Sequence, residues 1–351
     1  MGNSLEQALG LVLRIDDADS FLEYISEDDP VTETLIRTVQ NAKNWPRHSG
    51  IFYLCDALSE FIDQYGRKPT RGEFVAAVIH KLQRKETAHF PERSTFFDRS
   101  RAKADPIGEL KGKYGLVTGA TRGIGRQMAL ALAEAGINLF LTSRNNDDLR
   151  ELSKLVEERG AHCSYMPVDL ASPQQVTKLG EFLAEEFELA MIFNNAGINQ
   201  PPGKLPLGGV DANAWLNMYQ VNVVAPAILI DAVLPGMKQR GFGRIVNTTS
   251  GIKDIPCAYA ASKGALDKLT RDYAATLEGT GVTMNVLDPG WVRTELGGDD
   301  APDHVTTTVP GAIVGGFLPD DVNGRWINTQ DFKGLTLIEA IKLAPSKASD
   351  L

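Results

Sequence analysis

From Tyr114 onward, β-like runs alternate with helix-like segments, and this alternation restricts the fold more than any other property of the chain. Strand-forming runs fall near 114–118, 138–142, 163–168, 190–194, 244–249, 283–287 and 324–328, with helices that include 124–136, 147–159, 172–187 and 257–279. A strand that returns through a helix to a parallel neighbour crosses over right-handed, and successive crossovers cover both faces of one sheet. The expected fold of residues 106–351 is therefore α/β, a doubly wound parallel sheet.

The segment before it has a different pattern. Leu5, Ala8, Leu9 and Val12 share one helical face, Asp29-Pro30 leads into Val31, Leu35 and Val39, and Ile51, Leu54, Leu58, Phe61 and Ile62 form a further stripe ending at Gly66. Thr70-Arg71-Gly72-Glu73 is a capping box that opens a helix through Phe74, Val78 and Leu82. Residues 1–105 are thus expected to form a smaller all-helical domain, joined through a polar linker near 99–112. Three roles fit it: a cap or dimerisation arm, a docking module for a partner or carrier protein, and a helix-turn-helix DNA reader suggested by the turn at Gly66–Glu73.

Charge speaks against the last of these. The net charge is −9, and phosphate affinity needs clustered Lys and Arg, so no nucleic-acid partner is expected. No apolar run approaches the ~18 residues of a membrane span, and Leu5–Leu13 lacks a basic leader, which predicts a cytosolic protein without membrane association. The three cysteines form no C-x-x-C pair and the five histidines are scattered, so neither a disulfide framework nor a metal site is expected.

The first strand runs into Thr118-Gly119-Ala120-Thr121-Arg122-Gly123-Ile124-Gly125 and then a helix. Glycines at such a turn let backbone approach a dinucleotide pyrophosphate at the positive end of a helix, the Rossmann-like arrangement. The second strand ends Thr142-Ser143-Arg144-Asn145. An NAD site places a carboxylate there for the ribose hydroxyls; here Ser143 and Arg144, with Arg122 on the glycine turn, suit a 2′-phosphate, so NADP(H) is expected over NAD(H). Downstream, Tyr259-Ala260-Ala261-Ser262-Lys263 sets a phenol and an ammonium four residues apart on a helix. That cation, with the positive charge of an oxidised nicotinamide, is expected to lower the phenol's pKa from its usual ~10 and fit Tyr259 for proton transfer.

The spacing T-G-x-x-x-G-x-G, followed in order by Asn194-Asn195-Ala196-Gly197, Tyr259-x-x-x-Lys263 and Pro289-Gly290, resembles the short-chain dehydrogenase/reductase family from about Gly112 to about Phe332. The resemblance implies a hydride-transferring oxidoreductase acting on a small-molecule carbonyl, of 3-oxoacyl, polyketide-like or simple ketone and aldehyde type, and a homodimer or homotetramer. It implies that Asp169 contacts the adenine amino group beside Leu170, although a helix-capping role for Asp169 fits equally well. Asn195, Ala196 and Gly197 would line the cofactor, and Lys263 would bond the nicotinamide ribose. Ser250 would polarise the substrate carbonyl, and Asn222 would bend a central helix and hold a water in the proton relay. Pro289, Gly290, Val292 and Thr294 would border the nicotinamide, ahead of a lid over 295–310. Only eight residues separate Ser250 from Tyr259, fewer than the family's usual spacing, which predicts a short loop and a more open site. The competing reading is a cofactor-binding regulatory or scaffold protein whose helical segment does the work; retention of Tyr259 and Lys263 weighs against it.

Overall fold

A computed structural model of the protein describes residues 105–199, 211–252 and 256–351, together with Arg37, Phe74 and Val78. The chain divides into two compact units, Met1–Phe90 and Pro91–Leu351. In the first, Arg37, Phe74 and Val78 are helical and the latter two are buried. The other helices expected over residues 1–104, the capping box and Cys55 lie outside the described residues.

The second unit is built on an eight-stranded sheet. Its strands are β1 (Tyr114–Thr118), β2 (Asn138–Ser143), β3 (Cys163–Pro167), β4 (Leu189–Asn194), β5 (Gly243–Thr248), β6 (Val282–Asp288), β9 (Arg325–Asn328) and β10 (Ser349–Asp350). They stand in the order β10-β9-β6-β5-β4-β1-β2-β3, parallel throughout except that β10 runs antiparallel to β9. β7 (Val292–Arg293) and β8 (Asp303–His304) make a separate two-stranded parallel pair. Every residue of β4 and β5 is buried, the signature of strands covered on both faces. The order reverses between β1 and β4, which opens a crevice at their carboxyl ends, where doubly wound folds bind ligands.

The helices between strands are α1 (Gly123–Glu134), α2 (Asn146–Glu157), α3 (Pro173–Glu186), α4 (Ala212–Tyr219), α5 (Ala225–Arg240) and α6 (Ala258–Ala275), and α7 (Leu337–Lys347) precedes β10. Several of these boundaries have a local chemical cause. Asn145 caps α2 by accepting from the Asp147 and Asp148 amides, Ser172 caps α3 ahead of Pro173, and Thr336 with Glu339 forms a capping box on α7. Gly180 of α3 permits close approach of α5, since a Cβ there would stand 2.9 Å from Ala232 Cβ.

Between α4 and α5 the chain makes a five-residue π-helical turn, Gln220–Val224. The run Ala212–Arg240 is long and apolar enough by length and composition to cross a membrane, which corrects the expectation that no apolar run approaches that length. Half of its most apolar stretch is buried, and Leu229, Ile230 and Val233 lie in the core, so packing within this fold accounts for its composition.

Arg244 at the start of β5 is a buried cation. Its guanidinium donates to the carbonyls of Leu318 (2.7 Å), Gly243 (2.9 Å) and Gly281 (3.0 Å) and to Asp320 (2.6 Å), and lies 4.3 Å from the Phe242 ring centroid. Asp320 is half-exposed and can be resolvated, so Arg244→Leu chiefly strands the three carbonyls. The expected loss of unfolding free energy is about 3 kcal/mol, read from denaturant midpoints.

Candidate active site

The glycine turn sits at the carboxyl end of β1. Gly119 and Gly123 have φ of 63° and 53°, left-handed values that glycine adopts without steric penalty. A Cβ at Gly119 would stand 2.9 Å from Ala196 Cα, and one at Gly125 would stand 2.3 Å from the Gly119 carbonyl oxygen and 2.6 Å from Asn195 Nδ2. The turn is thus pressed against the segment after β4. Asn195 Nδ2 donates to the Thr118 and Gly119 carbonyls (3.0 and 3.3 Å), and the Asn195 and Ala196 amides both donate to Thr118 Oγ1 (3.1 Å). Ile124 and Gly125 open α1, so its amino-terminal end faces the crevice.

At the end of β2, Ser143 is half-buried and Arg144 exposed, with no carboxylate at either position. Asp147 and Asp148 lie in the first turn of α2, where Asp147 pairs with Arg150. Arg122, on the glycine turn, forms an ion pair with Glu295, a residue from beyond β7. Asp169 accepts from the Ala171 amide (3.0 Å) in a local turn, and the cap of α3 is Ser172. Leu170 is buried, and its carbonyl accepts from Gln220 of the π turn (3.2 Å).

The second half of the site gathers around α6. Lys263 is buried and donates from Nζ to the Thr248 carbonyl (2.7 Å). That nitrogen lies 5.8 Å from the Tyr259 ring centroid. A Cβ on Gly197 would meet Lys263 Nζ at 3.3 Å and Asn222 Oδ1 at 3.5 Å, so these groups converge on the segment after β4. Asn222 is fully buried within the π turn. Its Oδ1 accepts from the Ile198 amide (2.9 Å) and its Nδ2 donates to the Ile198 carbonyl and Ser262 Oγ (both 3.0 Å). The π turn lies at the expected bend of the central helix, without itself fixing a role for Asn222.

The Ser250 hydroxyl lies close enough to act on the Tyr259 phenol despite the short loop between them. Burial pushes that phenol up to about 12, the Ser250 hydroxyl working against this and Asp288 and Cys257 adding to it. This corrects the expected lowering: Lys263 directs its charge to the Thr248 carbonyl, and desolvation of the phenol dominates. Burial also lowers Lys263 to about 8, with Asp267 opposing.

The turn after β6 closes the crevice. Gly290 has φ 73° and donates to Asp288 Oδ1 (3.0 Å), while the Pro289 carbonyl accepts from Thr329 (3.0 Å) and Gln330 (2.9 Å). Val292 pairs with Asp303. Thr294 brings its methyl group to 3.3 Å from a Cβ placed on Gly123, so the two ends of the crevice meet there. The sequence reading missed Asp267, Asp288, Glu295 and the Thr248 carbonyl. Only Asp267 carried a signal, since it stands four residues after Lys263. Among the described residues no cluster of His, Cys, Asp and Glu could hold a metal, and Cys163 and Cys257 are free thiols.

Comparison with known proteins agrees with this architecture. Residues 113–304 match the model of the short chain dehydrogenase family. A short chain dehydrogenase of Pseudocercospora fijiensis is 36% identical over 206 residues, covering 57% of this chain and 65% of that protein. An L-xylo-3-hexulose reductase of Hypocrea jecorina is 34% identical over 204 residues, covering 51% of this chain and 66% of that protein. The crystal structure of a gluconate 5-dehydrogenase from Burkholderia cenocepacia, solved with NADP and tartrate, superposes with a TM-score of 0.54 at 29% identity, covering 62% of this chain and 94% of that one. With its family match extending over more than half its length and its crevice built as described, the chain belongs to the short chain dehydrogenase family.

Proposed function

We propose that the protein is an NADP(H)-dependent oxidoreductase that reduces a ketone or aldehyde to an alcohol, with Tyr259 as the proton donor. The observation that carries this reading is the convergence of Ser250, Tyr259, Lys263 and Asn222 on a crevice whose other wall is the glycine turn. The turn fits a dinucleotide: side chains are excluded at Gly119 and Gly125, and Thr121, Arg122, Gly123 and Ile124 carry the backbone into the start of α1. Ser143 and Arg144 would hold a 2′-phosphate, Asp169 and Leu170 the adenine, and Gly197, Pro289, Gly290, Val292 and Thr294 would border the nicotinamide. That cofactor supplies the hydride. A phenol whose pKa stands near 12 is a protonated donor across the neutral range, which suits the reductive direction. Ser250 steadies the carbonyl oxygen as charge develops on it, and Lys263 with Asn222 returns a proton to Tyr259.

Similarity to proteins named L-xylo-3-hexulose reductase and gluconate 5-dehydrogenase supports testing polyhydroxylated carbonyl compounds first, ahead of 3-oxoacyl and polyketide-like compounds. The reading includes a cytosolic location and a homodimer or homotetramer, for which exposed Trp215, Leu216 and Val224 supply an apolar face. Residues 1–105 would be a helical arm or a docking module for a partner or carrier protein.

Paired titration of NADPH and NADH with a carbonyl panel tests the assignment. Wild-type protein is expected to prefer NADPH, and Arg144→Asp to lose about 10- to 100-fold in NADPH affinity while gaining affinity for NADH, because one charge-assisted phosphate bond becomes a repulsion. Equal affinity of the variant for both cofactors with NADPH binding unchanged would remove Arg144 from the site.

A further inference from the structure

On α6 four groups follow one another at intervals of four residues: the Tyr259 phenol, the Lys263 ammonium, the Asp267 carboxylate and the Arg271 guanidinium. Residues so spaced stack on one helix face with Cβ atoms about 5–6 Å apart. The ladder runs from the buried Tyr259 to the exposed Arg271, and Asp267 stands half-buried between. The proton relay described above uses the first two rungs and leaves Asp267 without a role.

The surroundings of Asp267 tie it to the catalytic end of the sheet. Just past β5, the Thr249 hydroxyl lies toward its carboxylate, one residue after the carbonyl that seats Lys263 and one before Ser250. Thr249 in turn donates its amide to the Leu287 carbonyl of β6 (2.7 Å), beside Asp288. Asp267 Oδ1 and Thr249 Oγ1 are both shut off from solvent and make no hydrogen bond of ordinary length. A half-buried carboxylate so poorly solvated needs a neighbouring cation to stay ionised. Among the described residues, the charged groups acting on it are Lys263 and Arg271, which favour ionisation, and Asp288, which opposes it. Burial raises its pKa, and Thr249 works with the two cations in the other direction.

Lys263 has the complementary need. Its hydrogen-bond acceptor, the Thr248 carbonyl, is a neutral dipole, and among the described residues Asp267 is the anion that acts on it. We infer that Asp267 is a positioning residue for the reaction, a carboxylate one helical turn behind Lys263 that keeps the buried ammonium charged and seated at the Thr248 carbonyl. The inference rests on the catalytic reading of Lys263, and it adds Asp267 to Ser250, Lys263 and Asn222 as a group that prepares Tyr259.

The test uses the full-length protein with Asp267→Asn, Asp267→Ser and Asp267→Glu. The first readout needs neither cofactor nor substrate: the 13C resonance of the Lys263 ε-carbon, assigned by its loss in Lys263→Arg, is followed against pH. Wild type is expected to titrate near 8. Both neutral variants are expected to titrate about one unit lower and Asp267→Glu at the wild-type value, because removing an anion favours the uncharged amine. The second readout is the pH profile of kcat for NADPH-dependent reduction. Neutral variants should lose about tenfold at about pH 9 and stay near wild type at about pH 6, since one pKa unit is a factor of ten. An unchanged Lys263 titration, or a loss of kcat equal at all pH values, overturns the inference. The two readings fail separately: wild-type turnover by Lys263→Met would sink the catalytic role, while the cofactor-free titration would still decide whether Asp267 holds the charge.

Discussion

Tyr259→Phe is expected to lower kcat for carbonyl reduction by about a thousandfold, the middle of the range for removing a positioned general acid. The ring should remain where it is, packed with Met218, Cys257 and Ala258, because only the hydroxyl is lost. NADPH affinity and melting temperature should therefore stay near wild type. Steady-state kinetics on the best substrate of the panel, with fluorescence titration of NADPH as control, makes the measurement. A phenylalanine variant that turns over at the wild-type rate would refute the acid assignment, and the scaffold reading would take its place.

The second large effect concerns the glycine turn. In Gly125→Ala a single methyl group must fit where the Gly119 carbonyl oxygen stands 2.3 Å away and Asn195 Nδ2 stands 2.6 Å away. Neither neighbour is the free end of a flexible side chain. The first is backbone in a left-handed residue, and the second is fastened to two carbonyls at the end of β1. Relief requires the turn to move off the segment after β4, which costs about 1–3 kcal/mol of stability and misaligns the amides that face the pyrophosphate. NADPH affinity is expected to fall at least about 100-fold, a change of 2.7 kcal/mol or so. Calorimetry on the folded variant checks this, and binding within about twofold of wild type would show that the turn yields at little cost.

How much of this could be read beforehand depends on the range of each interaction. The parallel strands were legible because most of them bury a short continuous run, and the main crossover helices because their apolar spacing and caps are local; Ser172-Pro173 and Asn145 mark helix starts within a few residues. The residues of the crevice were legible as spacings in the chain. What failed to show depends on distance or environment. β7, β8 and β10 are two residues long and exist through their partners, so no periodicity announces them. The ion pair of Arg122 with Glu295 joins residues 173 apart in sequence. The sign of the Tyr259 shift needed its burial, which the pattern Tyr-x-x-x-Lys does not contain. The helix broken by the π turn carries Pro226 and Pro235, and its apolar length hid in a run punctuated by both.

Behind the crevice, Asn194 donates to Asn247 (2.8 Å), Asn247 to Thr270 (2.9 Å) and Thr270 to the Leu266 carbonyl (2.8 Å). This buried chain bolts β4, β5 and α6 to one another independently of anything bound in front. Adaptation to a new substrate can therefore proceed by rewriting the stretch beyond Gly290 alone, as a lathe accepts another cutting head without a new bed. Lineages that diverged in what they reduce would then keep the amide chain while varying freely past the last glycine of the crevice.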